Sequence, residues 1–174
     1  MSRSVAVAFG IAGVLSVGRW TLDLTDANYY DPVTLLDYSA VILQTGAGLA
    51  TGIALLLLWR DPPVKRGSFL LGIAGLSAIV FGLGNLLEDA FEMEWAVWGF
   101  FGGGIGMILS LAVAGITALT VDSPRRWSGL FLLVGATGGM LGAGLLAMGI
   151  AWLAFSIWIT RRVAAENQVL AIAS

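Results

Sequence analysis

Long apolar segments separated by short polar ones are the feature that most constrains the fold of this chain. A helix that crosses the hydrocarbon core of a bilayer needs about 20 predominantly apolar residues. Charged residues make up only 11% of the chain, whereas soluble domains contain about 25%. The sequence therefore predicts an all-α integral membrane protein, a single bundle of transmembrane helices over residues 1–174. Apolar segments of sufficient length occur at about residues 4–20, 33–59, 67–90, 95–121 and 127–160.

The last apolar segment, residues 127–160, can be divided in two ways. As one helix it would be about 50 Å long, well beyond the ~30 Å hydrocarbon core. As two short helices, at residues 127–141 and 144–160, it would cross twice with about 25 Å in each. Basic residues concentrate on the cytoplasmic side of membrane proteins, and only six crossings return Arg161 to the side of Arg3. We therefore expect six transmembrane helices with a cytoplasmic N-terminus, with five helices as the alternative.

The composition excludes several classes of protein. The chain contains neither cysteine nor histidine, so it has no disulfides, no thiolate nucleophile and none of the usual ligands of haem or copper. Its nine Lys and Arg residues occur in small groups rather than along one face, and we therefore expect no nucleic-acid partner. We expect no cofactor and no resident metal. We expect the protein to lie in the cytoplasmic membrane of a prokaryote as a multi-pass protein.

One group of polar residues is spaced to lie on a single helix face. Asn85, Glu88, Asp89 and Glu92 follow the spacing i, i+3, i+4, i+7 at the end of the third segment. Polar side chains within a membrane span avoid lipid and face the bundle interior, where polar residues of the first two segments would meet them. The sequence therefore predicts a polar vestibule that faces outward. Its candidate residues are Arg19, Asp37, Gln44, Asn85, Glu88, Asp89 and Glu92.

Three interpretations of the acidic residues remain open. Glu88 and Asp89 could simply be hydrated at a helix end in the interface. Carboxylates at a helix C-terminus meet the unfavourable end of the helix dipole, however, which points to a compensating charge. Arg19, the cation of the expected outer side, would be the natural partner of Glu88 or Asp89, and a bound cation such as Ca²⁺ is the other candidate. No nucleophile accompanies the carboxylates, so we do not expect an enzyme.

Small residues are expected to hold the helices together. The chain contains 24 glycines, and in lipid the close approach of helix backbones at such residues supplies much of the packing energy. We expect these contacts to form mainly within one chain, with contacts between copies as the alternative. Glycine pairs four residues apart are Gly48 and Gly52, Gly99 and Gly103, Gly102 and Gly106, Gly135 and Gly139, and Gly138 and Gly142.

Two functions are compatible with these observations. The central third of each expected span lacks charged residues, which disfavours pumps and proton-coupled carriers because coupling requires a charge within the membrane. The leading hypothesis is a non-enzymatic accessory, scaffold or assembly subunit that packs against itself or a membrane-protein partner in the lipid bilayer. The alternative is a small channel or facilitator entered through the acidic vestibule. Its path would be lined by Gln44, Thr51, Ser77, Ser110 and Thr117.

Overall fold

The computed structural model describes residues 2–25, 32–123, 125–138 and 144–173, which are mostly helical and contain no strand. The all-helical class is therefore confirmed. A π-helical turn (Leu86–Ala90) and a 3₁₀ turn (Glu94–Ala96) join the third and fourth helices. The six α-helices are α1 (Arg3–Asp23), α2 (Leu35–Arg60), α3 (Phe69–Asn85), α4 (Val97–Leu119), α5 (Ser128–Gly138) and α6 (Gly144–Ala173).

Five of the described helical segments are long and apolar enough to cross a membrane, and α5 is not among them. With 11 residues, α5 has a length of about 16 Å, roughly half of the hydrocarbon thickness. The final apolar stretch thus forms two helices that pack together, with Gly135 of α5 against the ring of Trp152 in α6. The sequence predicted two helices of similar length. In the structure, α6 is much longer than the described part of α5.

Helix α6 extends well beyond its expected end near residue 160. It continues to Ala173, past the basic pair Arg161 and Arg162, and Glu166 in this extension forms an ion pair of 3.0 Å with Arg125. A change from apolar to charged side chains marks where a helix leaves the hydrocarbon, but it does not end the helix. The apolar pattern therefore predicted the apolar part of α6 and missed the extension.

The first turn of α2 is held by a capping box. The Thr34 hydroxyl accepts a hydrogen bond from the Asp37 N–H, and the Asp37 carboxylate accepts one from the Thr34 N–H at 2.8 Å. This reciprocal arrangement satisfies two backbone donors that the helix leaves unpaired. Asp37 is only 5% exposed.

The end of α3 differs from the expected continuous helix. The backbone widens into the π-helical turn after Asn85, and the helical conformation ends at Ala90. Glu92 then takes a left-handed conformation with φ of 54°, and the Met93 N–H donates to the Leu87 carbonyl at 3.0 Å. Glu92 therefore does not continue the helix face that contains Asn85, and the expected i+7 relation between them is wrong.

The six helices form a closed ring in chain order. Each helix packs against the next, and α1 packs against α6 to complete the ring. Close contacts between α1 and α6 include Gly13 with Gly149, and a 2.7 Å hydrogen bond from the Ser156 hydroxyl to the Ala6 carbonyl. We call one end of the bundle the basic end, for Arg3, Arg60, Arg66, Arg125 and Arg161, and the other the acidic end, for Asp23, Asp37, Asp89 and Glu94.

Apolar side chains fill the interior of the ring toward the basic end. Phe9 packs between Trp152 and Phe155, with ring centroids 5.0 and 4.9 Å apart. These three side chains are fully buried, so this half of the bundle has a packed core. Other buried members of the core are Leu55, Leu58, Leu71, Leu111, Leu132 and Ile159.

Most of the glycines in the described motifs are used within the chain. A Cβ added to Gly48 would lie 2.9 Å from the Cα of Gly82, and one added to Gly103 would overlap the backbone of Phe81. Gly102 is different, because a Cβ added there would meet nothing within 4 Å. Close packing at Gly48 and Gly103 thus joins helices of one molecule. Gly139 and Gly142, the second members of two motifs, lie outside the described residues.

Candidate functional site

A cavity of about 350 Å³ lies inside the bundle toward its acidic end. Its walls come from every helix of the ring, and most of the lining side chains are apolar. The polar members are Arg19 and Asp23 of α1 and Gln44 of α2. The remaining lining residues are Phe81, Phe100, Phe101, Gly104, Ile105, Met107, Ile108, Gly138, Gly144, Leu145 and Met148.

The cavity lies where several lining positions carry no side chain. Gly104 of α4, Gly138 and Gly144 present no side chain to fill the space. Met107 and Met148 line the cavity and also belong to the packed core. The cavity therefore ends at these two methionines, where the apolar interior begins.

Arg19 is the most deeply buried charged side chain of the cavity, at 1% exposure. Its Nε donates a 3.0 Å hydrogen bond to Oε1 of Gln44, and its Nη1 forms an ion pair with Asp23, one turn later on α1. The Asp23 side chain is 36% exposed, so the pair extends from the buried interior toward the surface. A guanidinium can be held at this depth because its donors meet a carboxylate and an amide oxygen.

The pairing of Arg19 differs in part from the sequence hypothesis, which named Glu88 or Asp89. The direct bonds described here are to Gln44 and Asp23. Arg19 also attracts the Asp89 carboxylate electrostatically, while the neighbouring Glu88 repels it. Asp23 was not among the seven candidate residues, although its i, i+4 spacing places it on the same helix face as Arg19.

Asn85 and Asp37 have structural roles in the bundle. The Asn85 side chain is 1% exposed, and its amide donates to the Val41 carbonyl at 3.4 Å and to the Thr45 hydroxyl at 3.3 Å. It therefore links α3 to α2. Asp37 caps α2. Neither residue lines the cavity. Some of the candidate residues expected to face a common vestibule therefore lie in the interfaces between helices.

The acidic residues after Asn85 are distributed over different environments. Asp89 is buried and Glu88 is half-buried in the π-helical turn, whereas Glu92 is exposed beyond the helix end. Among the described residues, no group of three carboxylates is arranged to hold a metal ion. Of the seven candidate residues, Arg19 and Gln44 line the cavity.

We expect removal of the Arg19 side-chain charge to destabilise the bundle. Arg19→Met leaves Gln44 without its donor and Asp23 without its ion pair, and should lower the free energy of unfolding by about 1–3 kcal/mol. Arg19→Lys should recover only part of this loss, because an ammonium lacks the planar donor fork of a guanidinium. The measurement is denaturation in a mixed-detergent titration. An exposed control, Arg161→Met, should change little, and equal stability of all three variants would contradict the role of Arg19.

Comparison of the chain with family models, with curated proteins and with solved structures gives no match.

Proposed function

We propose that this protein is a non-enzymatic, multi-pass membrane protein that acts as an accessory protein by binding a small molecule in the cavity at its acidic end. One observation supports this most directly: the cavity ends at Met107 and Met148. A volume of about 350 Å³ falls within the range of small-molecule sites, which combine apolar walls with a few polar groups. Arg19, Asp23 and Gln44 would be those polar groups.

The packed interior argues against the alternative function of a channel. Leu55, Leu111 and Trp152 are fully buried between the cavity and the basic end. The residues expected to line a path are also dispersed. The Thr117 hydroxyl donates to the Val113 carbonyl of its own helix at 2.7 Å, and Ser77 lies against Gly106 between α3 and α4. These positions favour binding over conduction.

Occupancy of the cavity can be tested without knowing the ligand. A Cβ on Gly104 would lie 3.4 Å from the Phe81 ring, so Gly104→Leu should place a larger side chain in the cavity and displace a bound molecule. Gly102→Leu adds the same group on the same helix, where space is open. Native mass spectrometry of protein purified in mild detergent should detect a retained small molecule in the wild type and Gly102→Leu but not in Gly104→Leu.

Two results would overturn this proposal. One is a wild-type mass that shows no bound small molecule under any mild purification. The other is solute flux in protein-containing liposomes above the protein-free background that is abolished by Gly104→Leu. The second result would restore the channel hypothesis, because it would show that the cavity belongs to a path across the membrane.

The proposed topology has six crossings with the basic end in the cytoplasm. The first turns of α1 and the far end of α6 lie at this same end, because Ser156 bonds Ala6 and Glu166 pairs with Arg125. The described residues of α5, Ser128–Gly138, would provide about 16 Å of the fifth crossing. Basic side chains at this end agree with the general preference of Lys and Arg for the cytoplasmic side.

Single cysteines report this topology directly, because the chain has no native cysteine. In intact cells, a membrane-impermeant maleimide should label Glu94→Cys and leave Ser2→Cys and Asn167→Cys unlabelled until the membrane is opened. Glu94 and Asn167 are exposed at opposite ends of the bundle. Labelling of Asn167→Cys without labelling of Ser2→Cys would indicate an odd number of crossings and contradict the six-crossing topology.

A further inference from the structure

From the charges and aromatic groups around the cavity, we infer that its ligand is a lipophilic organic cation, an ammonium group attached to an apolar body. This inference rests on the proposed function and specifies the chemical class of the ligand. The cavity is lined by the partly exposed carboxylate of Asp23, by three phenylalanine side chains and, at its inner end, by two methionines. It lies at the end of the bundle where the acidic residues are concentrated.

The charge balance around the cavity disfavours an anionic ligand. The guanidinium of Arg19 is already engaged by Gln44 and Asp23. Arg19 also interacts electrostatically with Asp89, which lies next to Glu88 in the chain at the acidic end of the bundle. An entering anion would therefore compete with carboxylates for Arg19. A cation would be attracted toward the same end, because clefts bordered by one sign of charge concentrate the opposite sign.

The aromatic lining suits an ammonium group with an apolar body. The ring of Phe100 stacks on Phe81 with centroids 4.7 Å apart, and it meets the edge of Phe101 at 5.3 Å. Aromatic rings attract cations through their quadrupole, and recognition of quaternary ammonium groups commonly depends on several such rings. Met107 and Met148 provide an adaptable apolar floor, since their unbranched side chains pack against bodies of different shape.

Two lining residues connect the cavity with the outer surface of the bundle. Phe101 and Ile105 line the cavity, and they are also 57% and 59% exposed. In a membrane, the exposed portion of such side chains faces lipid. A lipophilic cation that partitions into the bilayer would therefore meet the rim of the cavity from within the outer half of the membrane, as well as from the acidic end.

Three probes of nearly equal shape separate the contribution of charge from that of size. Phenyltrimethylammonium is cationic, tert-butylbenzene is its neutral isostere and phenyltrifluoroborate is the corresponding anion. Equilibrium dialysis of labelled phenyltrimethylammonium against protein in nanodiscs, with protein-free nanodiscs subtracted, gives the specific binding. We expect saturable binding that unlabelled cation displaces at about tenfold lower concentration than the neutral isostere, and no displacement by the anion.

Substitutions assign this binding to the cavity. Asp23→Asn should weaken binding of the cation by about tenfold, and it should permit displacement by the anion because Arg19 then lacks its carboxylate. Gly104→Leu should abolish specific binding, which keeps the test valid if Asp23→Asn does not fold. Two controls should bind as the wild type does: Gly102→Leu, and Glu94→Gln, which removes an exposed carboxylate near the acidic end but outside the lining.

The possible failures can be told apart. Tighter binding of the anion or of the neutral isostere, still abolished by Gly104→Leu, would overturn the cationic class and leave the proposed binding function intact. Absence of specific binding by all three probes, with a native ligand still detected by mass spectrometry, would also overturn the cationic class alone. If the native ligand is absent as well, the proposed function itself is contradicted.

Discussion

Gly103→Leu should prevent α3 and α4 from packing and leave little folded protein. A Cβ at this position would overlap the backbone nitrogen of Phe81 and approach the Ser77 carbonyl oxygen at 2.7 Å, and a helix backbone cannot move aside as a flexible side chain can. We expect a loss of more than about 3 kcal/mol in the free energy of unfolding. The measurement is the folded fraction in a denaturing-detergent titration, followed by helical circular dichroism and size-exclusion chromatography.

The adjacent glycine provides the control for this substitution. Gly102→Leu adds the same side chain to the same helix where an added Cβ meets nothing within 4 Å, so its effect should be within about 0.5 kcal/mol. If Gly103→Leu were as stable as Gly102→Leu, the close packing of α3 and α4 described here would be wrong. If Gly102→Leu alone were destabilised, the small residue that matters would lie on the opposite side of α4.

Trp152→Ala should produce the second large effect. The Trp152 side chain is fully buried, and its ring lies against Gly135 and 5.0 Å from the ring of Phe9. Its removal leaves a void that neighbouring helices cannot close without losing other contacts, so we expect a loss of about 3–5 kcal/mol. The same detergent titration measures it, because the comparison requires only relative stabilities.

An exposed tryptophan supplies the matched control. Trp98 of α4 is 79% exposed, and Trp98→Ala should change the stability by less than about 0.5 kcal/mol. Trp152→Phe should lie between the two alanine variants. It keeps an aromatic ring in contact with Phe9 and removes the indole N–H, which has no hydrogen-bond partner among the described residues. Equal effects of Trp152→Ala and Trp98→Ala would contradict a packed interior at the basic end.

The helical class and the approximate positions of the long helices followed from the sequence because apolar length determines which segments can enter a bilayer. The positions of the helix ends were predicted less well from the sequence. The polar residues after Asn85 have helical spacing, yet Glu92 has a positive φ and lies outside the helix. Spacing describes a face only while the helix continues, and the local backbone decides where it stops.

The candidate site could be predicted only in part, and for a similar reason. The sequence placed Arg19 and Gln44 in one polar group, because polar side chains in a span avoid lipid, and in the structure the two side chains share a hydrogen bond. Asn85 faces inward because its side chain bonds to the neighbouring helix α2. Sequence periodicity shows that a residue faces inward, but it does not show whether the residue contacts a helix or a cavity. The cavity itself is lined by residues of all six described helices, and an apolar pattern along one segment does not indicate the space left between several helices.

The contact between α1 and α6 has a consequence for biosynthesis. If the chain is inserted into a membrane as proposed, insertion follows synthesis from the N-terminal end, and α1 enters the bilayer long before its neighbour α6. Until then, the α1 surface around Gly13 that finally meets Gly149 remains accessible to lipids and to other nascent helices. Premature arrest of translation before α6 should therefore yield an open arrangement that insertases or quality-control proteases can recognise.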